Sequence, residues 1–384
     1  DAVRYTTAGE SHGPGLITIV TDVPAGIELS QEAIDADLAR RQRGYGRGGR
    51  MAIERDHAEV LSGVRFGRTL GSPVGLLIAN RDAENWREAM DPWGSAAGIA
   101  PVTAPRPGHA DLGGIQRTGA TDVRDILERA SARETAARVA AGAIARSLLA
   151  SLGVSVRSWV ERIGGAATGP LDPSQADRDA VAASDVSCPV ESVAAAMRSE
   201  IDHAREEGES LGGIIVVCAE GLVPGVGGYA EAGSRLDARV AGAVISIPAV
   251  KGVEFGDGFA AGARTGSAVH DEIMLDESGR LRRATNRSGG VDGGMTTGEP
   301  LVLRAVMKPI PTLMRPLKTV DISTGEVADA ARERSDVCAV PAAAVVAEAE
   351  VALILADAYQ DLLGRANVAD MQWALATYRE RIAW

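Results

Sequence analysis

The sequence predicts a mixed α/β protein, and three observations carry that reading. Short β-branched runs bounded by Gly or Pro recur along the chain, and long stretches with helical patterning stand between them. Apolar residues make up 45% of the composition, enough for a sizeable globular core. At a typical domain size of about 150 residues the length suggests roughly two to three domains, or one large α/β unit.

The elements follow in order. Residues 16–23 (LITIVTDV) read as a strand, and residues 30–42 as a helix opened by Ser30 as its cap. Residues 60–64 and 74–78 read as strands. Residues 125–152 form an Ala- and Arg-rich amphipathic run that stops at Gly153, which predicts one long helix. The acidic stretch 164–191 is loop-like, a hinge or surface excursion that does not clearly divide two domains. Strands are predicted again at 214–218 and 301–307. Residues 341–363 predict a helix with Pro341 in its first turn and Gly364 after its end. Its apolar stretch carries Glu348 and Glu350, which suits a buried helix better than a membrane span.

Charge narrows the function. With 40 Lys+Arg against 52 Asp+Glu the net charge is −12, which argues against a general nucleic-acid or membrane-surface binder. Aromatics at 3% leave little surface for stacking bases. Cys188, Cys218 and Cys338 lie far apart without a CxxC pair, so reduced thiols and no structural zinc are expected. The opening DAVRYTTAGESHG has no apolar h-region, and a cytoplasmic location is the expectation.

Against this acidic background, glycine-rich loops carry the rare polar residues. GESHG at 9–13 matches a nucleophile elbow with Ser11, but an elbow needs a helix after the serine, and the run after Gly13 is strand-like. Ser11 and His12 are neighbours, so in extended backbone they face opposite sides and cannot pair. The plain alternative is a Gly-rich turn that holds a histidine; the functional one places His12 as proton donor and Ser11 as hydrogen-bond donor. RPGHAD at 106–111 sets Asp111 two residues from His109, near enough to fix its tautomer. The run RRQRGYGRGGRMAIER at 40–55 lets guanidinium groups converge on a small polyanion, although a solvated charged face or an RGG-type RNA contact are the alternatives. Within 125–152, Arg129, Arg133 and Glu134 are compatible with exposed charge pairing. KPIPT at 308–312 is a rigid turn presenting Lys308 and Thr312, and Asp336 reads most simply as a helix N-terminal residue.

GESHGPGL, LARRQRGYGRGGRM, TLGSPVGLLIAN, RPGHAD, LERASARETAARVAAG, AVKGVEFGDGF, NRSGGVDGGMTTG, KPIPT and RSDVCAVPAAAVVAEA occur in this order from residue 4 to about residue 357. Together they closely resemble the chorismate synthase family. The resemblance implies a single catalytic domain over 1–384, a β-α-β sandwich of antiparallel sheets around central helices, assembled as a homotetramer. It implies a 1,4-elimination of phosphate from 5-enolpyruvylshikimate 3-phosphate to give chorismate, with reduced FMN from a separate NAD(P)H-dependent reductase.

By position in the motifs, Arg41, Arg47, Arg50, Arg106, Arg133 and Arg334 match substrate-facing arginines. His12 matches the donor to the leaving phosphate, and His109 the histidine that protonates reduced flavin. Asp336 matches the carboxylate working at the ring C6 hydrogen, with Ser11 and Ser131 as relay hydroxyls. The flavin contacts implied are Ser131, Ala132, Arg133, Ala249, Gly294, Lys308, Pro309, Ile310, Pro311, Thr312 and Arg334, with no metal. The chain departs from the family's usual residues at Thr21-Asp22, Arg117-Thr118 and Pro248. A Ser11 hydrolase and an RNA- or polyanion-binding module are the competing readings.

Overall fold

The computed structural model describes residues 4–47, 55–331 and 336–383. One sheet holds β1 (Arg4–Ala8), β2 (Gly15–Thr21), β3 (Glu59–Ser62) and β4 (Val74–Ala79), in the order β1-β2-β4-β3. The other holds β5 (Ser155–Ile163), β6 (Ala166–Ala167), β7 (Gly213–Glu220), β8 (Val250–Phe255) and β9 (Leu301–Met307), in the order β8-β9-β7-β5-β6. Every pairing in both sheets is antiparallel. The main helices are α1 (Gln31–Gln42), α2 (Asp111–Thr118), α3 (Thr135–Ser151), α4 (Glu191–Glu207), α5 (Leu236–Ile245), α6 (Val340–Leu363) and α7 (Val368–Ile382). Helix α3 packs on the first sheet, α6 on the second, and the two helices pack on each other. This is the β-α-β sandwich that the resemblance implied.

Alternation explains which face each strand buries. In β2, Leu16, Thr18 and Val20 face the helices while Ile17 and Ile19 face outward; in β4, Val74, Leu76 and Ile78 point inward. Thr18 keeps its hydroxyl satisfied by donating to the Ala137 carbonyl of α3 at 3.1 Å. The helices approach closely because their contact is made of small residues. A Cβ added at Gly142 of α3 would stand 2.3 Å from the Cβ of Ala349 in α6.

The two acids in the apolar stretch of α6 are buried and paired, which is what permits them there. Glu348 takes a bidentate pair from Arg40 (2.8 and 2.7 Å) and a bond from Ser158 of β5 at 2.9 Å. Glu350 accepts from the Tyr5 hydroxyl at 2.5 Å and from Arg138 at 3.1 Å. No helix among the described residues is long and apolar enough to cross a membrane.

Most predicted elements stand within a few residues, Ser30 included: its hydroxyl accepts from the Ala33 amide at 3.2 Å. Two differ. The strand expected at 60–64 breaks at Gly63, whose φ of 81° turns Val64–Arg65 away into a separate hairpin with Arg68–Thr69. The single helix expected over 125–152 is a turn at Arg124–Leu127, a break, a 3₁₀ turn at Ala132–Glu134 and then α3. Ser131 causes the break: its backbone is extended (φ −67°, ψ 143°) and its hydroxyl accepts from the Arg133 amide at 3.3 Å. A serine bonded to nearby backbone competes with helix continuation in this way. The stretch 164–191 is a surface excursion containing Arg178–Ala183 as a short helix, and its Ala176 covers Trp159, Val216 and Cys218 on the outer face of the second sheet.

Candidate active site

The loop at 9–13 joins β1 to β2, so a strand follows Ser11 and not the helix that a nucleophile elbow requires. Gly9 has φ 115°, and a Cβ there would meet the Gly15 carbonyl at 2.3 Å. One buried side chain holds the loop: Asn80, just after β4, donates to the carbonyls of Gly13 (2.8 Å) and Glu10 (3.1 Å). Ser11 and His12 diverge as expected. Ser131 donates to the Ser11 hydroxyl at 3.2 Å, whereas His12 Nδ1 meets Glu128 Oε1 at 2.8 Å. Burial of Glu128 opposes its ionisation, but its contacts with His12 and Arg124 prevail and hold the carboxyl below its ordinary range. The imidazole also lies against Trp86, with ring centroids 4.1 Å apart.

Arg40, Arg41 and Arg47 of the 40–55 run turn inward, which removes the solvated-face and RNA-contact readings for these three, while Arg43 and Arg55 stay exposed. Arg41, at the last turn of α1, is 4% exposed and donates through Nε to Thr135 (2.9 Å) and through Nη2 to the Ala132 carbonyl (2.8 Å). Its Nη1 has no hydrogen-bond partner among the described residues and stands 3.7 Å from Asp56 Oδ2. Burial pushes Arg41 below the ordinary arginine value; Asp56 works against that, while Arg47 and Arg133 add to it.

Arg133 is buried too, so the exposed-pair reading fails for it, although exposed Arg129 does pair with Glu134 at 3.8 Å. Arg133 donates to Asp56 at 2.6 Å and to Asn80 Oδ1 at 2.8 Å. Arg47 pairs with Asp336 at 3.1 Å, so Asp336 faces the site and is not the cap of α6, whose N-cap position is Ala339.

Across from these, RPGHAD packs on KPIPT. Asp111 is completely buried and accepts from the Arg106 amide (3.0 Å), Nε (2.9 Å) and Nη2 (3.2 Å), and also contacts His109 Nδ1. Burial raises its pKa, yet the bonds from His109 and Arg106 outweigh that and keep the carboxyl well below its ordinary range. Arg106 Nη1 donates to Thr312 at 3.0 Å, and Lys308 Nζ to the Gly108 carbonyl.

Many of these groups line one cavity of about 560 Å³, a size in the ordinary range for small-molecule sites, and Asp56, Asn80, Asp111 and Glu128 stand behind its wall. The cavity brings together Ser11, His12, Arg41, Arg47, Arg106, His109, Ser131, Ala132, Arg133, Ala249, Lys308, Ile310, Pro311, Thr312 and Asp336. Arg50 and Arg334 lie outside the described residues. Pro309 is not on the wall, and Gly294 is elsewhere. Gly294 sits in the turn of the Val291–Thr296 hairpin with φ 88°, its carbonyl taking the Leu236 amide at 2.8 Å.

Five contributors were not read from the sequence: Asp56, Asn80, Asp82, Trp86 and Glu128. The available signal was electrostatic, since buried arginines demand buried acids nearby. Of the three departures from the family pattern, Pro248 lies on the cavity wall and the other two do not. No group of His, Cys, Asp or Glu able to hold a metal occurs among the described residues.

A model of the chorismate synthase family matches residues 3–360. The chain belongs to that family. It is 55% identical to a chorismate synthase of Rubrobacter xylanophilus over 98% of this chain and 97% of that one. It is 53% identical to the Trichlorobacter lovleyi enzyme over 94% and 95%. A crystal structure of chorismate synthase superposes with a TM-score of 0.80 at 38% identity, covering 100% of this chain and 98% of that one. The chain is accordingly an enzyme of the shikimate pathway, a lyase that eliminates phosphate from 5-enolpyruvylshikimate 3-phosphate to give chorismate.

Proposed function

We propose that this cavity is where the elimination takes place, with reduced FMN as its cofactor. The observation that carries the reading is a local reversal of charge. A protein of net charge −12 turns Arg41, Arg47, Arg106, Arg133 and Lys308 toward one cavity, and the substrate brings two carboxylates and a phosphate. Arg41, Arg47 and Arg133 hold those anions, with the Nη1 of Arg41 available for a ligand oxygen.

The wall fits a flat heterocycle. Ala249, Ile310 and Pro311 line the cavity together with the small side chains of Ala339, Ala342 and Ala343 around the start of α6. Ala249 has φ 70°, a strained conformation for a residue with a Cβ. Ser131, Ala132, Arg133, Ala249, Lys308, Ile310, Pro311 and Thr312 would hold the flavin. When bound, reduced FMN supplies electron density that helps phosphate leave and recovers it afterwards, so the net reaction is redox-neutral.

The protein's part is proton placement within the cavity. His12 donates to the departing phosphate. His109, whose Nδ1 is held by Asp111, keeps a proton at the flavin edge. Asp336, oriented by Arg47, works at the ring C6 hydrogen. Ser131 and Ser11 form a hydroxyl pair on the wall of the same cavity, suited to relaying a proton. In an anaerobic assay with reduced FMN, His12→Ala and His109→Ala should each lower kcat by about 10²–10⁴-fold while flavin still binds. Wild-type turnover in either variant refutes that residue's role.

A homotetramer is part of the same reading. The Ile273–Leu275 and Leu281–Arg283 hairpin exposes Ile273, Met274, Leu275 and Leu281, which supports burial against another copy. A separate NAD(P)H-dependent reductase in the cytoplasm would supply the reduced flavin.

A further inference from the structure

We infer that Glu128 is a positioning residue for the reaction, keeping a proton on His12 Nδ1 so that the imidazolium gives up its other proton from Nε2 and is left as the Nδ1–H tautomer. The inference rests on the reading of His12 as proton donor. Glu128 is 3% exposed and grips the histidine twice. It accepts from the His12 backbone amide at 2.8 Å and meets ring Nδ1 through both oxygens, at 2.8 and 3.0 Å. An ionised carboxylate has no proton to give, so the proton in this contact belongs to Nδ1.

Two further contacts restrict the pair. Arg124 donates to Glu128 Oε1 at 2.8 Å from one turn earlier in the chain, balancing the buried charge. Arg124 also lies over Trp86, with its guanidinium carbon 4.8 Å from the ring centroid, and Trp86 flanks the imidazole. The ring is thus held by a bond at one nitrogen and a surface at its face, while the backbone grip prevents the loop from carrying it away. Catalytic groups lose rate steeply when such orientation is lost.

The decisive measurement reads the tautomer in the wild-type enzyme. In ¹⁵N-histidine-labelled enzyme, at a pH where the ring is neutral, His12 should show the Nδ1–H pattern, the opposite of the form that free histidine prefers in water. Its resonances are assigned by their loss in His12→Ala. A predominant Nε2–H pattern overturns the inference.

In Glu128→Gln one carboxylate oxygen becomes an amide that cannot accept. We expect kcat to fall by about 10²-fold with KM for the substrate within about threefold, and the tautomer signature to become mixed. Glu128→Asp should recover most of the rate. A Gln variant that keeps kcat, or whose loss lies in KM alone, overturns the positioning role. If the Nδ1–H signature stands but His12→Ala turns over normally, the proton-donor reading of His12 is what fails.

Discussion

Replacing Asp111 by asparagine tests how the cationic side of the cavity is built. Asp111 is fully buried and receives three bonds from Arg106 and one contact from His109. Asparagine keeps the shape but offers one accepting oxygen, so its amide hydrogens would face a guanidinium or imidazole donor. Charge-assisted bonds contribute about 1.5–3 kcal/mol each, and breaking a buried ion pair on one side costs about 3–5 kcal/mol. Because the asparagine oxygen retains part of the bonding, we expect a loss of about 3 kcal/mol in urea unfolding at pH 7.

The pH dependence has a definite sign. The folded pKa of Asp111 is depressed, so between the folded and unfolded values the unfolded chain binds more protons. The contribution is therefore complete above the unfolded value of about 3.9 and lost as pH falls through the folded one. The gap between wild type and variant should be widest above about pH 5 and should narrow in acid. A gap under about 1 kcal/mol at pH 7, or one that stays constant into acid, refutes this account of the site.

Two other substitutions separate packing from binding. Gly142→Ala gains about 1 kcal/mol of helix propensity, yet its Cβ would stand 2.6 Å from the Ala349 Cα and 2.3 Å from its Cβ in a rigid crossing. Overpacking of about 1–3 kcal/mol should win, seen as a lower urea midpoint with unchanged m; a higher midpoint would show that the helices can separate at little cost. Lys308→Met should weaken FMN binding about tenfold, roughly 1.4 kcal/mol, with stability nearly unchanged, as read by flavin fluorescence titration. Unaltered affinity would remove Lys308 from the flavin site.

How much was legible from sequence follows a physical division. Strands β2, β4 and β9 announce themselves because residues two apart share a face, and the cap at Ser30 and Pro341 in the first turn of α6 act within a few residues. Segments such as GESHG and RPGHAD were also readable, because rare histidines between glycines stand out locally. The break at Ser131 was not. Helical periodicity runs through it, and only a serine-to-backbone bond separates Arg124–Leu127 from α3. That break delivers Ser131, Ala132 and Arg133 to the cavity, where an uninterrupted helix would have carried them along its own face.

The sequence by itself determined the acidic bulk, the inventory of arginines and histidines, the element types and the family. Tertiary structure decided which of those charges meet. Asp56 lies 77 residues from Arg133, and Glu128 lies 116 from His12. Hydrophobic patterning sets how each element faces the core, whereas ion pairing depends on distances that exist only after the two sheets close on α3 and α6.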